Sequence, residues 1–111
     1  MDRISEYRTY VEQILDEYAA IKPAYGDIEL QVVFDHEHDH YRLTSVGWMN
    51  SKRIRGDILH VDIINGKIWI QHDGTEGGIA GELVERGVPK QDIVLAFQAP
   101  YRRKFTEFAE N

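Results

Sequence analysis

The chain has no cysteine. That excludes disulfides, thiolate nucleophiles and cysteine-ligated zinc in one step. It also lacks any apolar run near the roughly 20 residues that a bilayer-spanning helix needs. Its start, Met1-Asp2-Arg3, is too polar for a signal peptide. The expected location is the cytoplasm. Positive charge is scarce as well: 13 Lys and Arg stand against 19 Asp and Glu, for a formal net charge of -6. Non-specific DNA binding depends on neutralising phosphates, so this surface is on balance repulsive to a polyanion. Lys52-Arg53-Ile54-Arg55 and Arg102-Arg103-Lys104 are the basic clusters, and such clusters are commonly solvated loops or helix ends. Repeats, linkers and low-complexity segments are absent. What remains is 111 residues, 42% hydrophobic, with two Trp, six Tyr and four Phe. That supplies one core, so residues 1–111 are read as a single domain.

The organising stretch starts at Asn65-Gly66, between two apolar runs. A two-residue turn with positive φ at both positions favours this pair. Folding there sets Ile63 opposite Ile68 and Val61 opposite Ile70. One face then carries Leu59, Val61, Ile63, Ile68 and Ile70, and a one-residue slip would scatter that set across both faces. The other face pairs Asp62 with Trp69 and His60 with Gln71, a mixed surface suited to partial exposure or a partner.

Residues 2 to 21 read as an amphipathic helix, with Ile4, Tyr7, Val11, Ile14, Leu15, Tyr18 and Ile21 on one stripe. Asp2 is its N-cap, and Pro23 with Gly26 ends it. Ile28, Leu30, Val32 and Phe34 alternate with polar residues as a strand. Asp35 to Asp39 is a polar turn, and Tyr41 to Met49 a second strand in which Gly47 marks weakening, a bulge or a close approach. After the loop Asn50-Ser51-Lys52, Ile54 to Ile64 is the third strand. Past His72 the period becomes helical through Ile79, Ala80, Leu83 and Val84, with Thr75 as N-cap and Gly87 as stop. Gly77, Gly78 and Gly81 weaken that helix by about 1 kcal/mol each relative to Ala, so it should be short. Ile93 to Phe97 is too apolar to be exposed and reads as a short buried strand, with helix as the alternative. The expected fold is α+β: an N-terminal helix, a four-stranded antiparallel meander, then a helix and a short C-terminal strand or turn. Both helices lie on the Leu59, Val61, Ile63, Ile68, Ile70 face.

Three groups carry candidate chemistry. His36, His38 and His40 alternate, so an extended backbone aims all three to one side, where Asp35 and Asp39 add oxygen ligands for Zn²⁺ or Ni²⁺. A polar, histidine-rich hairpin loop is the plainer reading, and no metal or other cofactor is expected. Gly74-x-x-Gly77-Gly78-x-x-Gly81 follows a strand and opens a helix, where backbone amides can hold phosphate. It matches neither the dinucleotide fingerprint nor the P-loop, and Asp73 and Glu76 would repel an anion. It reads as a turn that lets helix and sheet pack closely. His60 shares a face with Asp62 and Trp69, a setting for a general base. With no Cys, and no Ser in an activating motif, it has no catalytic partner and reads as a structural cross-strand histidine. Trp48 and Trp69 are mostly core residues that can reach a sheet surface, and aromatics at a rim are enriched at protein interfaces.

Val46-Gly47-Trp48, His60, Lys67-Ile68-Trp69-Ile70-Gln71, Thr75-Glu76, Ile79-Ala80, Glu82-Leu83 and Gly87-Val88-Pro89-Lys90-x-Asp92-Ile93-Val94-Leu95 together resemble the XisI family. Pro100, Arg103, Thr106 and Phe108-Ala109 extend the likeness over nearly the whole chain, while Ala96 replaces a usual Gly and the tail Glu110-Asn111 is less apolar. Those proteins are named as controlling factors for excision of the fdxN element in cyanobacteria. The resemblance implies an accessory factor in DNA-element excision whose partner is a XisH-like protein, of a type that resembles nucleases. The expectation is a non-enzymatic protein that binds another protein, with Trp48, His60, Trp69, Arg102 and Arg103 as partner contacts. A homodimer or larger assembly is expected because four antiparallel strands leave two edges and no segment covers the Trp69 face. The alternatives are direct DNA binding through Arg102, Arg103 and Lys104, and a small metal-dependent hydrolase on His60 or the 36-38-40 cluster.

Overall fold

The computed structural model describes residues 2–22 and 26–111. Helix α1 (Arg3–Ala19) opens as expected: the Asp2 carboxylate accepts the Ser5 amide at 2.8 Å. The helix stops two residues early, and Ile21 lies beyond it, 60% exposed. The break expected at Pro23 falls outside the described residues. Strands β1 (Asp27–Asp35), β2 (His40–Met49), β3 (Lys52–Ile64) and β4 (Lys67–Asp73) form the expected antiparallel meander. Helix α2 (Ala80–Glu85) then carries the chain to β5 (Ile93–Leu95), which joins β4 in parallel. A parallel neighbour needs a crossover, and α2 provides it. The sheet is therefore mixed and five-stranded, in the order β1-β2-β3-β4-β5.

The β3–β4 turn is a positive-φ pair, Asn65 at 51° and Gly66 at 80°. It sets Ile63 against Ile68, Val61 against Ile70 and Asp62 against Trp69. Beyond Val61 the register shifts, so His60 pairs with His72 instead of Gln71, and Gln71 is the extra residue of a bulge. A second shift between Leu43 and Thr44 leaves Ile58 as the extra residue on β3. Gly47 is required by a close approach: a Cβ there would sit 2.0 Å from the Asp27 carbonyl oxygen of β1.

One face of the sheet is the core. Tyr7, Val11, Ile14 and Leu15 of α1, with Ile79, Leu83 and Val88 around α2, bury against Tyr41, Leu43, Leu59, Val61, Ile63, Ile68, Ile70 and Ile93. Each fully buried Leu or Ile stabilises the fold by about 1.5–3 kcal/mol. Polar ties lock the two helices together: Tyr18 Oη donates to Glu82 at 2.8 Å, and Arg86 pairs with Glu17 at 3.0 Å. Helix α2 starts at Ala80 with no side-chain cap, so Thr75 is not its N-cap. The Asp73 carboxylate instead accepts the Thr75 and Ile79 amides, at 2.9 and 2.8 Å. That carboxylate fills the place an anion would take in the glycine-rich turn.

The opposite, outer face is half covered. After β5 the chain turns through α3 (Pro100–Arg103) and returns so that the Ala109 amide donates to the Ile93 carbonyl at 2.9 Å. This segment buries Val94 against its own buried Ala109. It supplies the cover over the Trp69 face that the sequence did not reveal. Phe97, expected to be buried, is 49% exposed because the strand ends at Leu95.

Candidate functional site

The uncovered half of the outer face lies on β1, β2 and β3, and its polar hub is Asp62. Strand alternation dictates the set. His40 on β2 is the direct cross-strand partner of Asp62, and His60 precedes Asp62 by two residues on the same strand, so both imidazoles share its face. His40 Nδ1 lies 2.6 Å and His60 Nε2 3.0 Å from the same oxygen, Asp62 Oδ1. Gln71, released by its bulge, donates to Asp62 Oδ2 at 3.2 Å. Asp62 is 6% exposed, the one charged residue buried among those described. A buried carboxylate is tolerated only when its oxygens are hydrogen-bonded, as here. Among the described residues, no Ser, Cys or Thr side chain hydrogen-bonds to Asp62, His40 or His60.

The 36-38-40 histidines do not converge, because residues 36–39 form a turn and not an extended strand. His36 hydrogen-bonds Glu12 of α1, and His38 Nδ1 sits 2.9 Å from Asp35 Oδ2. Only His40 enters the outer-face hub, with the His38 ring stacked on it at 6.3 Å between centroids. Asp39 points the other way, and its carboxyl is held below the usual range mainly by the Arg8 guanidinium, at 2.7 Å. Burial first, and the Asp39 hydrogen bond second, push the Tyr41 hydroxyl up.

The remaining nominated residues separate into two groups. Trp69 is half-buried, with the Arg103 guanidinium 5.6 Å from its ring centre. Arg103 also donates Nε to the Gln98 carbonyl at 3.0 Å and Nη2 to the Ala96 carbonyl at 3.1 Å. Trp69 is thus no exposed anchor, and Arg103 is engaged with its own chain. Arg102 is exposed beside Tyr101. Trp48 stands 47% exposed on the open half, with the Arg53 guanidinium 5.2 Å from its ring centre. Arg42, Val46, Arg55 and Asp57 line a shallow groove beside it. Asp62 is the residue that sequence reasoning passed over as a centre. Its spacing to His60 was visible, but its pairing with His40 depends on the β2–β3 bulge, which no local signal announces.

An α+β domain with a mixed five-stranded sheet, one face packed on helices and the other half open, is the class these elements define. The family model described as XisI protein matches residues 1–110, and the chain belongs to the XisI family. It is similar to the crystal structure of a XisI-like protein from Anabaena variabilis ATCC 29413, at 40% identity and a TM-score of 0.89, over 97% of this chain and 98% of that one. It is also similar to the fdxN element excision controlling factor XisI from the same organism, at 33% identity and a TM-score of 0.87, over 99% of this chain and 100% of that one. No curated protein matches it. No described helix is long and apolar enough to cross a membrane.

Proposed function

We propose that this protein is a controlling factor for programmed excision of a DNA element and that it acts by binding a XisH-like protein, without catalysing a reaction itself. The observation that carries this reading is the open half of the outer face. Trp48 and Arg53 stack there in solvent, and Trp and Arg are the residue types that most often anchor protein interfaces. Asp27 and Glu29 of β1, the cross-strand neighbours of Trp48 and Val46, put acidic groups beside the basic ones. A protein partner accommodates that mixture better than a polyanion does. Family membership supports the excision role, because the XisI of Anabaena variabilis carries that name. The same reading includes self-association through the open edge of β1, where Val33 is 52% exposed.

Co-expression with the neighbouring XisH-like factor tests the proposal. The two should co-purify, and Trp48→Ala should weaken the complex while leaving the far-UV spectrum unchanged. Absence of a complex in both orientations of affinity tag would refute it.

A second reading moves direct DNA contact away from the C-terminal arginines to the β2–β3 hairpin. Lys52, Arg53 and Arg55, with Arg42 beside them, are exposed and have no carboxylate within ion-pair distance among the described residues. Two-stranded ribbons of this kind can enter a DNA groove.

A further inference from the structure

We propose that His40, His60 and Asp62 form a binding site for one divalent transition ion of the zinc type on the open outer face. One ligand atom from each of the three side chains, a ring nitrogen of His40, a ring nitrogen of His60 and a carboxylate oxygen of Asp62, lies within 4.8 Å of the other two. Two imidazoles and one carboxylate are a ligand set that zinc accepts with a fourth position left to solvent. The two nitrogens already converge on one oxygen, at 2.6 and 3.0 Å. Around a tetrahedral ion, with bonds of about 2.0–2.2 Å, neighbouring ligand atoms stand roughly 3.3 Å apart. Small rotations of the two rings therefore admit the ion.

The surroundings fit the same purpose. Gln71 fixes Asp62 Oδ2 at 3.2 Å, the role an outer hydrogen bond plays in orienting a metal-ligating carboxylate. The buried carboxylate is held by side-chain hydrogen bonds from His40, His60 and Gln71, and a directly bound dication would satisfy its charge more fully than hydrogen bonds alone do. The Cα positions are held by the sheet ladder itself: His40 pairs directly with Asp62, and His60 lies two residues along the same strand. Arg42 is the cross-strand partner of His60 and makes no hydrogen bond to the carboxylate. His40 is exposed, so the ion can enter from solvent. This set shares only His40 with the alternating histidines of the 36–40 segment.

Calorimetric titration of tag-free, chelator-treated full chain with Zn²⁺ tests the site. One ion per chain should bind. Affinity should fall at least tenfold in His40→Ala and in His60→Asn, and should stay within twofold in His36→Ala and His38→Ala. Zn²⁺ should raise the melting temperature of the wild-type chain but not of His40→Ala. If His60→Asn does not fold, His40→Ala alone decides, since that ring is exposed and outside the core. Failure of the wild-type chain to bind, binding that survives His40→Ala, or equal loss in His38→Ala would overturn the proposal. The readout involves neither DNA nor a protein partner, so it fails or succeeds separately from the proposed excision role.

Discussion

Replacing Arg103 by Ala should destabilise the fold by about 2–3 kcal/mol, although the residue sits in a basic cluster of the kind read as a DNA contact. Its guanidinium donates to the carbonyls of Gln98 and Ala96 and lies over the Trp69 ring. A hydrogen bond from a charged donor contributes about 1.5–3 kcal/mol when buried, and less at this half-buried position. The cation–π contact adds about 0.5–1 kcal/mol. Removing the side chain also frees the segment that covers Val94, so the loss is concentrated at the β5 end. For a domain of this size the melting temperature should drop by roughly 10 °C. Chemical denaturation of the wild type, Arg103→Ala and Arg103→Lys measures it. Lys cannot reproduce the two-pronged geometry, so it should recover less than half of the loss. An unfolding free energy for Arg103→Ala within about 0.5 kcal/mol of wild type would refute the assignment.

Gly66→Val should lower stability by more than about 1 kcal/mol in the same assay, because a β-branched residue resists the +80° φ of the turn even though a Cβ there would meet only Ile4 Cδ1, at 3.9 Å. Gly47→Ala should be worse, about 3 kcal/mol or more, since its Cβ would collide with the Asp27 carbonyl and push β1 off the sheet. Leu83→Ala, at the fully buried contact of α2 with the sheet, should reduce unfolding free energy by about 2–5 kcal/mol. Sedimentation at several concentrations should show species heavier than 12.9 kDa, and charged residues at Val32 and Val33 on the β1 edge should return the chain to monomer.

Much of the fold was legible because the hairpin set Leu59 to Ile70 is strictly periodic and its turn has one chemistry. The Asp2 cap and the helical stripe of Tyr7, Val11, Ile14 and Leu15 were equally local signals. Less visible were features that depend on partners far along the chain. One bulge moved His60 from Gln71 to His72, a second set His40 opposite Asp62, and β5 added itself in parallel because α2 returns the chain to the β4 edge. Trp69 was nominated as a partner contact on an uncovered face because the cover on it comes from Arg103, 34 residues later. The three alternating histidines misled for a physical reason: alternation converges side chains only in a strand, and residues 36–39 turn.

The chain is proposed to work through a protein partner and not by holding DNA. Side-by-side titrations against labelled element-end DNA and against the XisH-like factor, at about 150 mM salt so that long-range fields are screened, test it most directly. The protein complex should form at concentrations at least tenfold below any DNA complex, and Trp48→Ala should weaken the protein complex alone. Tight, sequence-dependent binding of the isolated chain to DNA, abolished by Arg53→Glu with Arg55→Glu, would contradict it.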